Sequence, residues 1–377
     1  LFKPRREVEE NLEGGAREID CARAWLSRSS ELPLSIKIDT SASIWIAKAF
    51  ALLLPHCMRW RDFSGTMSSR VPEHTWDTVR GRLPLLQTVR FTVLGHCDLS
   101  KALMTAPRLR CVKLLIIPTP SQLPSLVRLG NIPWFQITHL AIDTHDYSAA
   151  NRILAHAPRI ECLRLTSDAS RGWTRASSAY THIVHRVMSS LHITGDDVMV
   201  GHYLNYVTLP ALCHLTMRIA SSGACSLVTR SQCNLHSLHI LDPPGVQPLL
   251  LLLELCPALR ELSVVYTNHS VFGALKLCRG SSNHLLPNLR ALDLKLPWTS
   301  PSIGDFIAMA ESRCAPEALP LPPGCVRLEH VNLHFAKPHA LPDDTVYRLR
   351  RLGAGGMRVT FLVGFDKDPA HEQLQPL

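Results

Sequence analysis

The 377-residue sequence contains no apolar run long enough to cross a bilayer. Its most apolar stretch, "PLLLLLEL" from Pro248, falls far short of the roughly 20 residues a spanning helix requires. Phosphate-binding loops are missing as well: there is neither a G-x-x-x-x-G-K nor a G-x-G-x-x-G pattern. "GDDVMVGH", from Gly195, has two glycines in the wrong arrangement and reads as a turn entering a return segment. No G-x-S-x-G elbow occurs, and with 19 histidines, chance His neighbours argue for no triad. The 12 cysteines include no C-x-x-C pair. His182 with His185, and Cys233 with His236 and His239, are the nearest approaches to a metal site. Neither supplies the four paired ligands of structural zinc. The acid pairs Asp196–Asp197 and Asp343–Asp344 sit in Gly- or Pro-marked turns and read as solvated turn residues. The expectation is therefore no enzyme, no cofactor and no metal.

Charge is unbalanced but not concentrated. The formal net charge is +9, yet the tightest basic cluster is only "KPRRE" near the N-terminus. Such a balance favours acidic partners and gives no reason to expect nucleic acid or a membrane. Many cysteines lie inside apolar runs such as "LRCVKL" and "IECLRL", where a reduced thiol serves as a small hydrophobe. That usage fits a cytoplasmic or nuclear setting. The sequence opens on Leu1 rather than methionine, so a further upstream segment is expected.

What the chain does have is one phrase, repeated. "PRLRCVKL" from Pro107 returns as "PRIECLRL", "PALCHLTM", "PALRELSV" and "PNLRALDL". Its form is an apolar anchor followed three and five residues later by further apolar positions. The clear anchors are Leu86, Leu109, Ile137, Ile160, Met188, Leu212, Leu235, Leu259, Leu289 and Leu328, with weaker copies at Pro33, Met58 and Gly356. Most steps fall in or near the range of about 20–29 residues that marks leucine-rich repeats. Within each phrase the period is two, as in a strand. The returns carry helical spacing, as in "SAANRILAHAP" and "VQPLLLLLELCP". A helix is also expected in "SPSIGDFIAMAESR", with Ser300 as cap and Pro301 in its first turn. One such unit cannot bury its apolar side alone; stacked units can. The expected fold is α/β, a leucine-rich-repeat solenoid with a curved parallel sheet on the concave side and helices on the convex side. Val112, Leu163, Leu262 and Leu292 should then share one buried sheet face. The boundaries read as a lead-in helix or cap over 1–30, repeats over 31–365, and a flexible tail over 366–377.

The residues between the two apolar strand positions should line the open face: Lys37, Asp62, Arg90, Lys113, Ala141, Arg164, His192, Thr216, His239, Ser263, Asp293 and Asn332. Arg90, Lys113 and Arg164 would bring like charges close together, which destabilises a sheet unless something offsets it. An acidic or phosphorylated protein segment would do so. The alternative is that these long side chains splay into water and select nothing. The candidate protein-binding residues are Arg90, Lys113, Arg164, His192 and His239.

The opening "CARAWLSRSSELPLSIKI" resembles the segment that follows the F-box in the F-box-like leucine-rich-repeat families of mushroom-forming fungi. The residues carrying the likeness are Trp25, Leu26, Arg28, Ser29, Leu32, Pro33, Leu34 and Ser35, then Pro55, His56, Arg59 and Trp60 in "LPHCMRWRDF". No "LPxE"-type F-box start precedes Trp25. The resemblance implies the substrate-recognition repeats of an SCF ubiquitin-ligase adaptor, which would reach a Skp1-type adaptor only through an F-box upstream. A stand-alone repeat scaffold unrelated to ubiquitin is the other reading that the repeats allow.

Overall fold

A computed structural model describes residues 5–38, 43–68, 76–94, 100–117, 132–144, 147–167, 181–243, 245–265, 269–278, 284–296, 303–314, 321–335 and 343–363. It divides into two compact units, Leu1–Ala179 and Tyr180–Leu377. The first opens with α1 (Arg5–Arg28) and carries a six-stranded parallel sheet. Its strands, in spatial as in chain order, are β1 (Leu34–Ile38), β2 (Trp60–Ser68), β3 (Thr88–Leu94), β4 (Cys111–Ile117), β5 (His139–Asp143) and β6 (Cys162–Thr166). Helices α2 (Ser43–Leu53), α3 (Ser100–Leu103) and α4 (Tyr147–His156) lie in the returns.

The second unit repeats the plan with seven parallel strands. After a short β7 (Ile183–Val184) come β8 (Ser190–Thr194), β10 (His214–Met217), β11 (Ser237–Ile240), β12 (Glu261–Val265), β13 (Ala291–Leu296), β14 (His330–Phe335) and β15 (Arg358–Val363). The two-residue β9 (Val207–Thr208) pairs with β7 in a small sheet of its own. The returns hold α5 (Asp197–Leu204), α6 (Ser222–Ser231), α7 (Val246–Glu254), α8 (His269–Leu275), α9 (Ile303–Arg313) and α10 (Asp343–Ala354). Each unit is a stretch of leucine-rich-repeat solenoid.

The repeated phrase builds this plan directly. All ten clear anchors are buried, eight of them completely. Val112 is in register with Leu140 and Leu163 in the first unit, and Leu238 with Leu262 and Leu292 in the second, so the apolar alternates form continuous rows. Against them pack return residues such as Leu154, Leu227, Leu252 and Phe306. The proline before an anchor is the second residue of a tight turn. Leu109 N donates to Ala106 O across Pro107, Ile160 N to Ala157 O, and Leu259 N to Cys256 O. Proline presets φ for that position and cannot extend the preceding helix. The residue after most anchors then offers its carbonyl to two successive N–H groups of the next unit. Arg110 O accepts from Thr138 and His139, and Arg260 O from Arg290 and Ala291.

Three anchors are corrected. Met58 is 48% exposed, while Cys57 and Trp60 are buried beside it. Pro33 and Gly356 are exposed, and Leu34 and Met357 take the buried places. The acid pairs are corrected too. Asp196 caps α5, its carboxylate accepting from Val198 N and Met199 N, and Asp343 and Asp344 open α10. The expected helix ending at Arg313 is present, but its Ser300 and Pro301 start lies outside the described residues, as does the 366–377 tail.

Side-chain links tie successive returns together. Arg59 donates to Ser29 O, Ser29 Oγ and Leu32 O. Arg230, at the end of α6, donates to Leu204 O and Val207 O. Arg313, at the end of α9, donates to Leu275 O, Leu285 O and Leu286 O. Each arginine thus satisfies main-chain carbonyls that lie one unit earlier in the sequence.

Candidate functional site

The candidate site is the open face of each sheet, opposite the buried alternates. In the first unit, Arg90 pairs in register with Lys113, Lys113 with Ala141, and Ala141 with Arg164. The expected row is therefore present, with one correction at its start. A register shift between Leu34 and Ser35 places Ser64, not Asp62, between Lys37 and Arg90. Asp62 lies opposite Ser35 and Thr88 instead. Asp62 Oδ2 accepts from Ser35 Oγ at 2.6 Å and from Arg61 Nε at 2.9 Å. Burial works to raise this carboxyl, but the bonds from Ser35, Arg61 and Thr88 outweigh it and hold it below the usual value.

Adjacent strands lie about 4.8 Å apart, so Arg90 and Lys113 are directly opposed like charges. Burial lowers the Lys113 pKa; the Cys111 thiol opposes this, and Arg90 and Arg164 lower it further. Burial likewise raises Cys111, against the pull of Lys113 and Arg90. Lys113 is thus the member of the basic row that feels the other two cations.

The second unit's face has a different chemistry. His192, Thr216, His239, Ser263, Asp293 and Asn332 follow one another in register, and Thr360 extends the row. Ser263 Oγ donates to Asp293 Oδ2 at 3.0 Å. His334 Nε2 stands 2.7 Å from Asp293 Oδ1. Ser237 Oγ lies 2.9 Å from His239 Nε2. His192 and His239 are thus two strands apart in the second unit, with Thr216 between them, whereas Arg90, Lys113 and Arg164 belong to the first.

His239 carries a pH prediction. Burial lowers its pKa below the ordinary 6.5, although Asp293 and Glu261 pull it back up and His214 and Lys295 add to the lowering. The unfolded chain therefore takes up the proton first as pH falls below 6.5, and stability drops until the lowered folded value is passed. Asp62 and Glu311, both held below their ordinary values of 3.8 and 4.5, lose their contribution only in more acid solution. His239→Gln should accordingly lose less stability than wild type between pH 7 and pH 5 in urea titrations. Equal losses would show that another group governs this window.

No group of three or more His, Cys, Asp or Glu among the described residues is placed to hold a metal ion. His182 instead meets Thr208, and Cys233 is buried with its thiol raised to about 11 by burial. Burial likewise raises Cys256 to about 12 and Cys314 to about 11. These thiols are protonated at neutral pH and act as apolar filling. No helix among the described residues is long and apolar enough to cross a membrane.

No family model and no curated protein matches the sequence. Among solved structures, a chain of the crystal structure of the Rad7 and Elc1 complex in yeast matches at 13% identity and a TM-score of 0.39, over 98% of this chain and 96% of that one. At that identity and score the likeness carries no functional information.

One feature of the faces was not visible in the sequence: Asp62 sits out of the row because of a single register shift.

Proposed function

We propose that this chain is a protein-interaction module whose basic face, in the first unit, takes an acidic or phosphorylated segment of a partner protein. The observation that carries the reading is the in-register pair of Arg90 and Lys113, with Lys113 half-buried and its charge disfavoured by burial, Arg90 and Arg164. A fold built for stability alone would gain by losing that charge; an anionic partner turns the same arrangement to use. The role within the cell follows from the resemblance around Trp25 to Ser35: the substrate-recognition region of an F-box-type ubiquitin-ligase adaptor. Arg59, in the second stretch that carries the likeness, is bonded to Ser29 in the first.

The test is Arg90→Glu/Lys113→Glu/Arg164→Glu, assayed for capture of partners from the native cells. Loss of the captured set, with the fold intact by circular dichroism, supports the reading; an unchanged set removes it. Capture of partners by the full-length gene product without a Skp1-type adaptor would keep the interaction role and remove the ubiquitin one. A single substitution separates stability from binding. Lys113→Gln should raise the melting temperature slightly while weakening capture, because it removes a charge that the fold disfavours and the partner needs.

A further inference from the structure

We propose that the anion recognised on the basic face is a single phosphoryl group on a protein segment, seated over Ala141 between Lys113 and Arg164. The inference rests on the acid-binding reading above and narrows it. Three registered rows define the place. Lys113, Ala141 and Arg164 form the middle row across β4, β5 and β6. Cys111, His139 and Cys162 form the row on one side, and Leu115, Asp143 and Thr166 the row on the other.

At about 4.8 Å per strand, the Lys113 and Arg164 backbones stand roughly 10 Å apart. Between them the face carries only the methyl of Ala141. Two long cationic side chains flanking a small residue leave a cradle for one compact group reached from both sides. Arg164 has five N–H donors, so it can serve a protein neighbour and a ligand together. His139 is exposed beside the cradle, with Thr138 Oγ1 2.9 Å from its Nδ1.

The charges select among anions. A carboxylate carries one negative charge and answers one cation. A phosphoryl group carries about −1.5 to −2 and offers three acceptor oxygens, which suits two cations approaching from opposite sides. Asp143 stands two residues beyond Ala141 on the same face of β5, and Asp62 lies near the Arg90 end. An extended acidic run, or a nucleic-acid strand with a phosphate at every step, would meet one of these carboxylates. A single phosphoryl group over Ala141 stays three strands from Asp62 and roughly 6.6 Å along β5 from Asp143. The lowered Lys113 pKa is consistent with this geometry, since a bound dianion would relieve the field of Arg90 and Arg164.

The experiment uses the full chain and three probes: a degenerate phosphoserine, phosphothreonine and phosphotyrosine peptide pool, the same pool with glutamate at the modified position, and a single-stranded oligonucleotide. Binding is read by fluorescence anisotropy, with inorganic phosphate as competitor. The expected result is at least tenfold preference for the phosphopeptide pool and displacement by inorganic phosphate. Ala141→Leu, which fills the cradle, should cost at least tenfold, while Ala141→Ser, of similar size, should retain binding. Equal binding of the glutamate pool, insensitive to Ala141→Leu, would overturn the phosphoryl assignment and leave the acid-binding reading standing. Preference for the oligonucleotide would overturn the assignment in favour of nucleic acid. Failure of all three probes, together with unchanged capture by the triple charge reversal, would remove both.

Discussion

Replacing Arg313 by methionine is expected to destabilise the chain by about 4 kcal/mol, a large share of what holds a domain folded. Arg313 is completely buried in the last turn of α9. Its guanidinium donates to Leu275 O at 2.8 Å, Leu286 O at 3.0 Å and Leu285 O at 2.6 Å. Burial lowers its pKa to about 10, with the Cys325 and Cys314 thiols opposing, so it stays charged at neutral pH. Methionine keeps most of the stem volume but leaves three carbonyls without that donor, each costing about 1–3 kcal/mol. One of them belongs to Leu286, a non-glycine residue at φ +50°, a conformation that persists only where its surroundings hold it. Arg313→Lys should recover little, because one ammonium cannot reach three carbonyls spread around a planar fork. Urea denaturation of the two variants checks this; a loss below about 1 kcal/mol for the methionine variant would mean that water replaces the guanidinium.

Gly223→Ala should destabilise by about 3 kcal/mol, by the overpacking of a closed contact. A Cβ at Gly223, in α6, would lie 2.4 Å from the carbonyl oxygen of Gly201 in α5 and 2.6 Å from its Cα. Both obstacles are backbone, so no side-chain rotation relieves the clash. The two helices must part, and the apolar contacts of Val200, Leu204, Ala224 and Leu227 part with them. Gly201 is the control. A Cβ there meets nothing nearer than Ser221 Oγ at 3.9 Å, so Gly201→Ala should be neutral or stabilising by up to about 1 kcal/mol through helix propensity. Thermal melts of the pair decide the matter; similar melting temperatures would show that the helices slide apart at little cost.

How much of this was legible in the sequence depended on the range of the interaction. Leu109, Ile160 and Leu259 declared themselves because anchor, strand period and Pro corner are fixed within one unit. The same period placed Arg90, Lys113 and Arg164 on the open face. The failures came where a neighbour decides. Met58 matched the phrase, but the bulky Trp60 beside it holds the buried place, and the shift at Leu34 and Ser35 then moved Asp62 out of line. Arg313 reads as an ordinary basic residue ending an amphipathic helix. Its burial follows from carbonyls 27 to 38 residues earlier, which no local pattern announces. Gly201 and Gly223 look like weak points within two helices until the crossing brings their backbones together. Ala141 looks like a gap in a basic row; the register gives that gap its walls.

Arg59, Arg230 and Arg313 bear on how such a chain can change over time. Each fork reaches carbonyls of its own predecessor, so these units are keyed to their order, like numbered stones in a vault. Duplicating or transplanting the unit that ends at Arg313 without the stretch containing Leu275, Leu285 and Leu286 would bury a cation with nothing to receive it. Lengthening and shortening of this protein are therefore easier at units without such a key, and the keyed ones must be inherited together with the neighbour they lock.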